Sequence, residues 1–357
     1  MADWGKGVNN DIGWGEGGTN NIGYGSIYAK SNSGLTLLLQ DNTAFIMEVD
    51  TSKAGSNSDQ FQFTGAEGDY DVVAKQNGIV VQTFSDLSGQ ETITFANGTG
   101  VYVLEVNAKE VDGFDKIRFA NGGDKLKITD VKQWGNIVWS SFDSAFFGCS
   151  NMLVTSTDVT NLSSVSTMAF MFRAATLANP DVSNWDVSSV NNMSNMFRNT
   201  SSANPDTSNW DVSNITNMNS MFAFSITANP DVSNWDVSSV TDMAFMFAIA
   251  SSANPDVTNW DVSSVTDMQI MFRNTSSANP NARNWNVSSV TNMDRMFENS
   301  NLSIENLTAC YENWSQLNLK QDVTFGAGTT KYNSSGQAGR DILVNTYNWN
   351  ITDGNVV

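Results

Sequence analysis

The chain has 357 residues, 40% of them hydrophobic and 15% charged, enough for one large or two to three modest domains with real cores. Its net charge of −19 sets most of its surface against nucleic acid, and the absence of histidine removes the commonest general base, the imidazole zinc ligand and every Ser-His or Cys-His nucleophile pairing. Two cysteines, Cys149 and Cys310, make no disulfide framework; no window approaches about 18 consecutive apolar residues, and MADWGKGVNN lacks a secretory pattern, so the expectation is a product that folds in the cytoplasm with no membrane insertion.

The first 34 residues repeat by tens as WGKGVNNDIG, WGEGGTNNIG and YGSIY, which brings Trp4, Trp14 and Tyr24 into register, with Ile12 and Ile22 behind them. So much glycine sustains neither a helix nor a core alone, yet each aromatic is worth about 1.5–3 kcal/mol on burial. This points to an extended arm that orders on docking to another protein or to its own symmetry mates in a homo-oligomer. A low-complexity flexible leader is the other reading. The segment resembles the glycine-and-aromatic arms of structural proteins from tailed bacteriophages. That resemblance implies anchoring to other virion proteins of tail or head through Trp4, Ile12, Trp14, Ile22 and Tyr24.

Residues 35–130 read as alternating strands, at 61–64, 70–76, 79–84, 91–95, 101–106 and 116–119, with Asn77-Gly78 a type I′ hairpin signal. An immunoglobulin-like β-sandwich is the natural expectation.

From 131 to 302 a 25-residue period dominates. Trp185, Trp210, Trp235, Trp260 and Trp285 mark it, as do Pro180, Pro205, Pro230, Pro255 and Pro280, the only prolines present. Met-x-x-Met-Phe marks it six times, from Met168/Met171/Phe172 to Met293/Met296/Phe297. A unit this short cannot bury its own apolar face, so copies must stack into a solenoid with a continuous core. Within each unit we expect a short strand near Val240 and its equivalents, and a helical or 3₁₀ turn at Met-x-x-Met-Phe. The asparagines at 179, 204, 229, 254 and 279 should form a ladder that satisfies backbone groups at a bend.

The run Trp-Asp-Val-Ser-Ser-Val-Thr-Asp-Met-x-x-Met-Phe resembles the bacterial surface-protein repeat of about 26 residues, a BspA-like, leucine-rich-like family. Residues 127–152 look like its opening coil, with Phe146 and Phe147 placed 25 residues before Met171 and Phe172. Residues 306–354 look like its closing segment, and the resemblance implies a sandwich ahead of the coils. Asn286 departs from the usual Asp in the last Trp-Asp-Val unit.

Residues 303–357 also read as a cap on their own terms. Ile304, Leu307, Tyr311 and Trp314 share a helical face, 323–325 suits a strand, 338–347 a second helix and 349–352 a last strand. The expected fold is therefore mainly β with short helices: arm, sandwich, 25-residue repeat solenoid and α/β cap.

Three patterns invite chemistry. A Trp ladder is a sugar-stacking platform if it faces water and core if it does not, and Val and Met beside it favour core. Aspartates recur at 181, 186 and their equivalents; such ladders attract calcium, but no glycine-rich ligand pattern accompanies them, which favours solvated turns. Both thiols should be free, being about six coils apart, and no catalytic residue, metal or cofactor is singled out.

Where the copies differ is more telling. Phe170, Phe245, Ile270 and Arg295 lie between the methionines, and Arg173, Arg198 and Arg273 follow Met-Phe, a mixed apolar and basic stripe on an acidic protein. Drift without selection leaves the same pattern. Taken together, the expectation is a non-enzymatic phage virion protein, a tail fibre, tip or receptor-binding component whose stripe contacts a host-surface protein or glycan. A bacterial cell-surface adhesin is the alternative, and a glycan-degrading enzyme ranks last.

Overall fold

A computed structural model describes residues 43–109 and 113–357. In the first part, strict alternation sets up a half-buried antiparallel sheet. In β1 (Phe45–Asp50), β3 (Asp69–Gln76) and β6 (Val101–Ala108), residues such as Val49, Tyr70, Val72, Tyr102 and Leu104 point inward and are wholly buried. With β4 (Ile79–Ser88), β7 (Ile128–Gln133) and the two-residue β8 (Leu153–Val154), they form a sheet of order β4-β3-β6-β1-β7-β8. A ribbon of β2 (Gln60–Gln62) and β5 (Thr92–Thr94) contributes Phe61 and Ile93 to the same core. Asn77 and Gly78 join β3 to β4 with φ of 50° and 78°, the left-handed pair a type I′ turn requires.

One expected strand fails here and two appear that were not foreseen: residues 116–119 make one bridge, Glu67 with Lys116, and no strand, while β1 and β7 are added. The segment at 56–60 is held by a feature without a sequence signature: Lys127, fully buried, donates from Nζ to the carbonyls of Ser56, Asn57 and Gln60 at 3.0, 2.8 and 2.7 Å. Asp124, 3.6 Å away, accepts from Ser56 and Gln62. A buried charge survives only when paired and bonded in this way.

The sheet runs directly into the repeats, because β7 pairs with β8 in parallel, Asp130 opposite Leu153. From there each repeat lies in parallel beside the next, with single bridges linking Thr167, Asn192, Asn217, Asp242, Asp267 and Asn292 in succession. The expected strand near Val240 is therefore absent: Val240 follows a turn and is buried, and the pairing falls two residues later.

Met-x-x-Met-Phe is likewise not helical. Phe170, Phe172 and Ala174 donate their N–H groups to the carbonyls of Ser194, Met196 and Arg198 in the next repeat, all at 2.9 Å. The N–H groups between them fold back, Met171 to Met168, Arg173 to Phe170 and Ala175 to Phe172. A run of turns results, with φ of 60° at Phe170 and 57° at Ala174, and the same left-handed pair recurs in every copy. Because each repeat donates forward and accepts from behind, the ladder needs an end-piece on each side. Phe119, Ala120 and Asn121 donate to its first carbonyls, and Gly326 accepts from Phe297 at its last.

The invariant side chains fill the interior. Phe172, Phe197, Phe222, Phe247, Phe272 and Phe297 stack at 5.5–5.8 Å, and Phe146 joins below at 5.9 Å. The first step is thus 26 residues, which corrects the assumed register: Phe146 matches Phe172, and Phe147 matches Arg173. The asparagine ladder forms as expected, each side chain accepting from the next repeat's backbone at 2.9 Å, from Asn204 on Asn179 to Asn279 on Asn254.

At the far end, β9 (Asn292–Met293), β10 (Thr324–Gly326) and β11 (Asn350–Thr352) make a parallel three-stranded sheet. The helices α1 (Ile304–Trp314), capped by Ser303, and α2 (Gln337–Tyr347), ended by left-handed Asn348, lie close to the expected spans. Phe325 of β10 closes edge-on over Phe297 at 6.1 Å. The whole is mainly β with two short α-helices, and no barrel closes among the described residues.

Candidate functional site

Burial divides each repeat into two classes of residue. Both methionines and the phenylalanine of every Met-x-x-Met-Phe are wholly buried. Each Trp is 1–4% exposed; Trp210, Trp235, Trp260 and Trp285 stack at 6.2–6.4 Å and donate from Nε1 to the carbonyls of Val182, Thr207, Val232 and Val257. No face of that ladder is open for a sugar. Trp185, at the start of the series, has no acceptor for Nε1 among the described residues.

The recurrent aspartates close turns. Asp186 accepts from the backbone N–H and the hydroxyl of Ser188 at 3.1 and 2.6 Å, and Asp181 does the same with Ser183. These hydrogen bonds hold Asp181, Asp186, Asp231, Asp236 and Asp256 below the usual carboxylate range. Asn286 keeps the backbone contact with Ser288 at 3.2 Å, so the turn survives the departure from Asp. Cys149 and Cys310 are free and fully buried, with burial pushing both thiols up. Among the described residues no cluster of three acidic or thiol side chains is grouped to hold a metal.

The outward positions are those on either side of the left-handed turns. Arg173 is half-buried, its guanidinium 4.8 Å from the ring centre of Phe147 and 5.3 Å from that of Phe170. Burial, and then the charge of Arg198 one repeat on, push its pKa down. Arg198 lies 5.4 Å over the ring of Phe224 and donates to Asn195 Oδ1. Phe245 and Ile270 are half-buried in the following repeats. Arg273 is tied to Glu298 at 2.5 Å, and Arg295, the most exposed, pairs with its neighbour Asp294 at 3.3 Å. Of the seven stripe residues, Arg173 and Arg198 thus have no carboxylate partner among the described residues, while Arg273 and Arg295 are paired. Trp4, Ile12, Trp14, Ile22 and Tyr24 lie outside the described residues.

Sequence reasoning missed Phe147, Phe224, Ile226 and Ile249. Phe224 and Ile226 are 37% and 49% exposed. For Phe224 and Ile249 the signal was there, in the second letter after Met-Phe: among Ala174, Asn199, Phe224, Ile249, Asn274 and Asn299 the side chain is bulky and apolar only in the two central repeats. The chemistry available on this face is contact: guanidinium donors held flat on aromatic rings, beside an apolar centre.

Residues 140–227 and 200–314 match the family described as Mycoplasma protein of unknown function, DUF285; the matches cover the repeats and the second extends through α1. No curated protein and no solved structure matches the chain.

Proposed function

We propose that this chain is an attachment protein of a bacteriophage particle, a tail fibre, tip or receptor-binding component. Its amino-terminal arm joins other virion proteins, and its repeats adhere to the host surface. In this reading the repeats are a capped, leucine-rich-like solenoid, and the β1–β7 sheet with the β2–β5 ribbon is an immunoglobulin-like sandwich that spaces the solenoid from the anchor. It acts by binding and carries out no turnover. The observation that supports it is the partition along the Met-x-x-Met-Phe run: its methionines and phenylalanine are sealed in the core, while Phe170, Arg173, Arg198, Phe224 and Phe245 reach the surface as an apolar and basic face on a chain of net charge −19. The test is mass spectrometry of purified particles combined with deletion of residues 1–34. The reading requires the chain in the particle and its loss on truncation; a truncated chain that still assembles rejects the anchor.

The match to a family described from Mycoplasma, a cellular organism, favours a second reading, a bacterial cell-surface adhesin. It requires the chain on cells and not in particles.

A further inference from the structure

In the first five copies the acids of this protein avoid the segment that carries the outward turns; the sixth holds Asp294 and Glu298. Of 37 aspartates and glutamates, none falls in residues 168–179, 193–204, 218–229, 243–254 or 268–279, the five successive segments that carry the outward turns. Those segments hold Arg173, Arg198 and Arg273, while each intervening segment supplies the Asp-Ser turns of the opposite side.

Arg173 and Arg198 stand on neighbouring repeats, linked through the Ala174 N–H and the Arg198 carbonyl at 2.9 Å. Neither has an acidic partner among the described residues, and each is laid against an aromatic ring with donor edges to spare. Two like charges held side by side without a counter-charge complement an anion. Adjoining them are the apolar side chains of Phe224, Ile226, Phe245 and Ile249, whose neighbours in sequence are uncharged. A sugar ring takes an open aromatic face rimmed by amide and carboxylate groups; here Arg198 occupies the Phe224 ring face and the segments 193–204, 218–229 and 243–254 hold no carboxylate. Apolar side chains of a polypeptide suit such a surface better.

We infer that this face binds an acidic polypeptide segment, one or two carboxylates on Arg173 and Arg198 and adjacent aromatic or aliphatic side chains on Phe224 to Ile249. The inference rests on the adhesive reading above and names the chemistry of its partner. Charge repulsion over the rest of the surface confines such a partner to this side.

The probe is a random twelve-residue peptide library displayed on ribosomes and selected on the full chain, with enriched peptides then titrated by fluorescence polarisation. Asp or Glu beside Phe, Leu or Ile should be enriched. Binding should weaken at least tenfold in R173S/R198S and in F224S, with melting temperatures checked for each, and R173K/R198K should recover part of it. Peptides without acidic residues, equal binding to R173S/R198S, or no enrichment while oligogalacturonate binds would each overturn the inference, the last in favour of a glycan. Adhesion to host cells is measured in parallel. Wild type and R173S/R198S adhering equally leaves the adhesive reading standing and removes this one. A wild-type chain that does not adhere removes the adhesive reading, and the peptide titrations still decide the chemistry.

Discussion

Replacing Trp235 with Phe and, separately, Trp185 with Phe isolates one hydrogen bond of the stack. Both indoles occupy the same place in their repeats and both are 4% exposed, so the loss of buried apolar surface is similar, about 1–2 kcal/mol. They differ at Nε1. Trp235 donates to the Thr207 carbonyl at 3.1 Å; without that donor the carbonyl keeps the Trp210 backbone N–H, also at 3.1 Å, so the loss is that of one net hydrogen bond, about 0.5–1.5 kcal/mol more. Trp185 has no acceptor among the described residues and loses nothing of this kind. W235F should therefore be the costlier by about 0.5–1.5 kcal/mol. Urea unfolding of the whole chain reads this as a shift in midpoint at constant slope. Equal losses, or a larger one at Trp185, would mean that the indole N–H groups do not stitch one repeat to the next.

Ile249 holds φ of 63°, where a β-branched side chain is strained, while Asn274 occupies the same place in the next repeat; I249N should raise stability by about 1 kcal/mol, read as melting temperature. K127M strands the Asp124 carboxylate in the core and should destabilise by about 3–5 kcal/mol in denaturant unfolding, whereas a surface change such as Lys331→Met should be near neutral. Asp186 and its equivalents have folded pKa values below their unfolded ones, so their contribution is full above the ordinary value of about 3.9 and is lost as pH falls through the folded one. Carboxyl NMR should find Asp186 titrating low in the native chain and close to its ordinary value in S188A.

What the sequence made legible is what repetition makes legible. Fixed spacing of Trp, Met and Phe pointed to their burial, and asparagine beside proline pointed to the ladder, because both follow from placing like upon like. Local conformation did not follow. Met-x-x-Met has helical spacing, but helical propensity assumes that N–H groups find acceptors four residues back, and here every second one reaches the next repeat instead. Neither Phe170 nor Ile270 advertises a left-handed backbone, since neither is a residue that prefers it. The Lys127–Asp124 pair was invisible for a different reason: its acceptors come from the loop at 56–60, far away in sequence. On the outward face, the stripe was read from two columns of letters, and the contacts of Arg173 with Phe147 and Arg198 with Phe224 reach residues outside them.

Hydroxyl-radical footprinting of the native chain, resolved to single residues by mass spectrometry, tests the partition most directly, because methionine and tryptophan react fastest wherever radicals reach them. Met243, Met246, Phe247 and Trp235 should stay unlabelled while Phe224 and Ile226 are modified. Rapid labelling of those methionines in the folded protein, or protection of Phe224, would contradict the division between a sealed invariant core and a contact face.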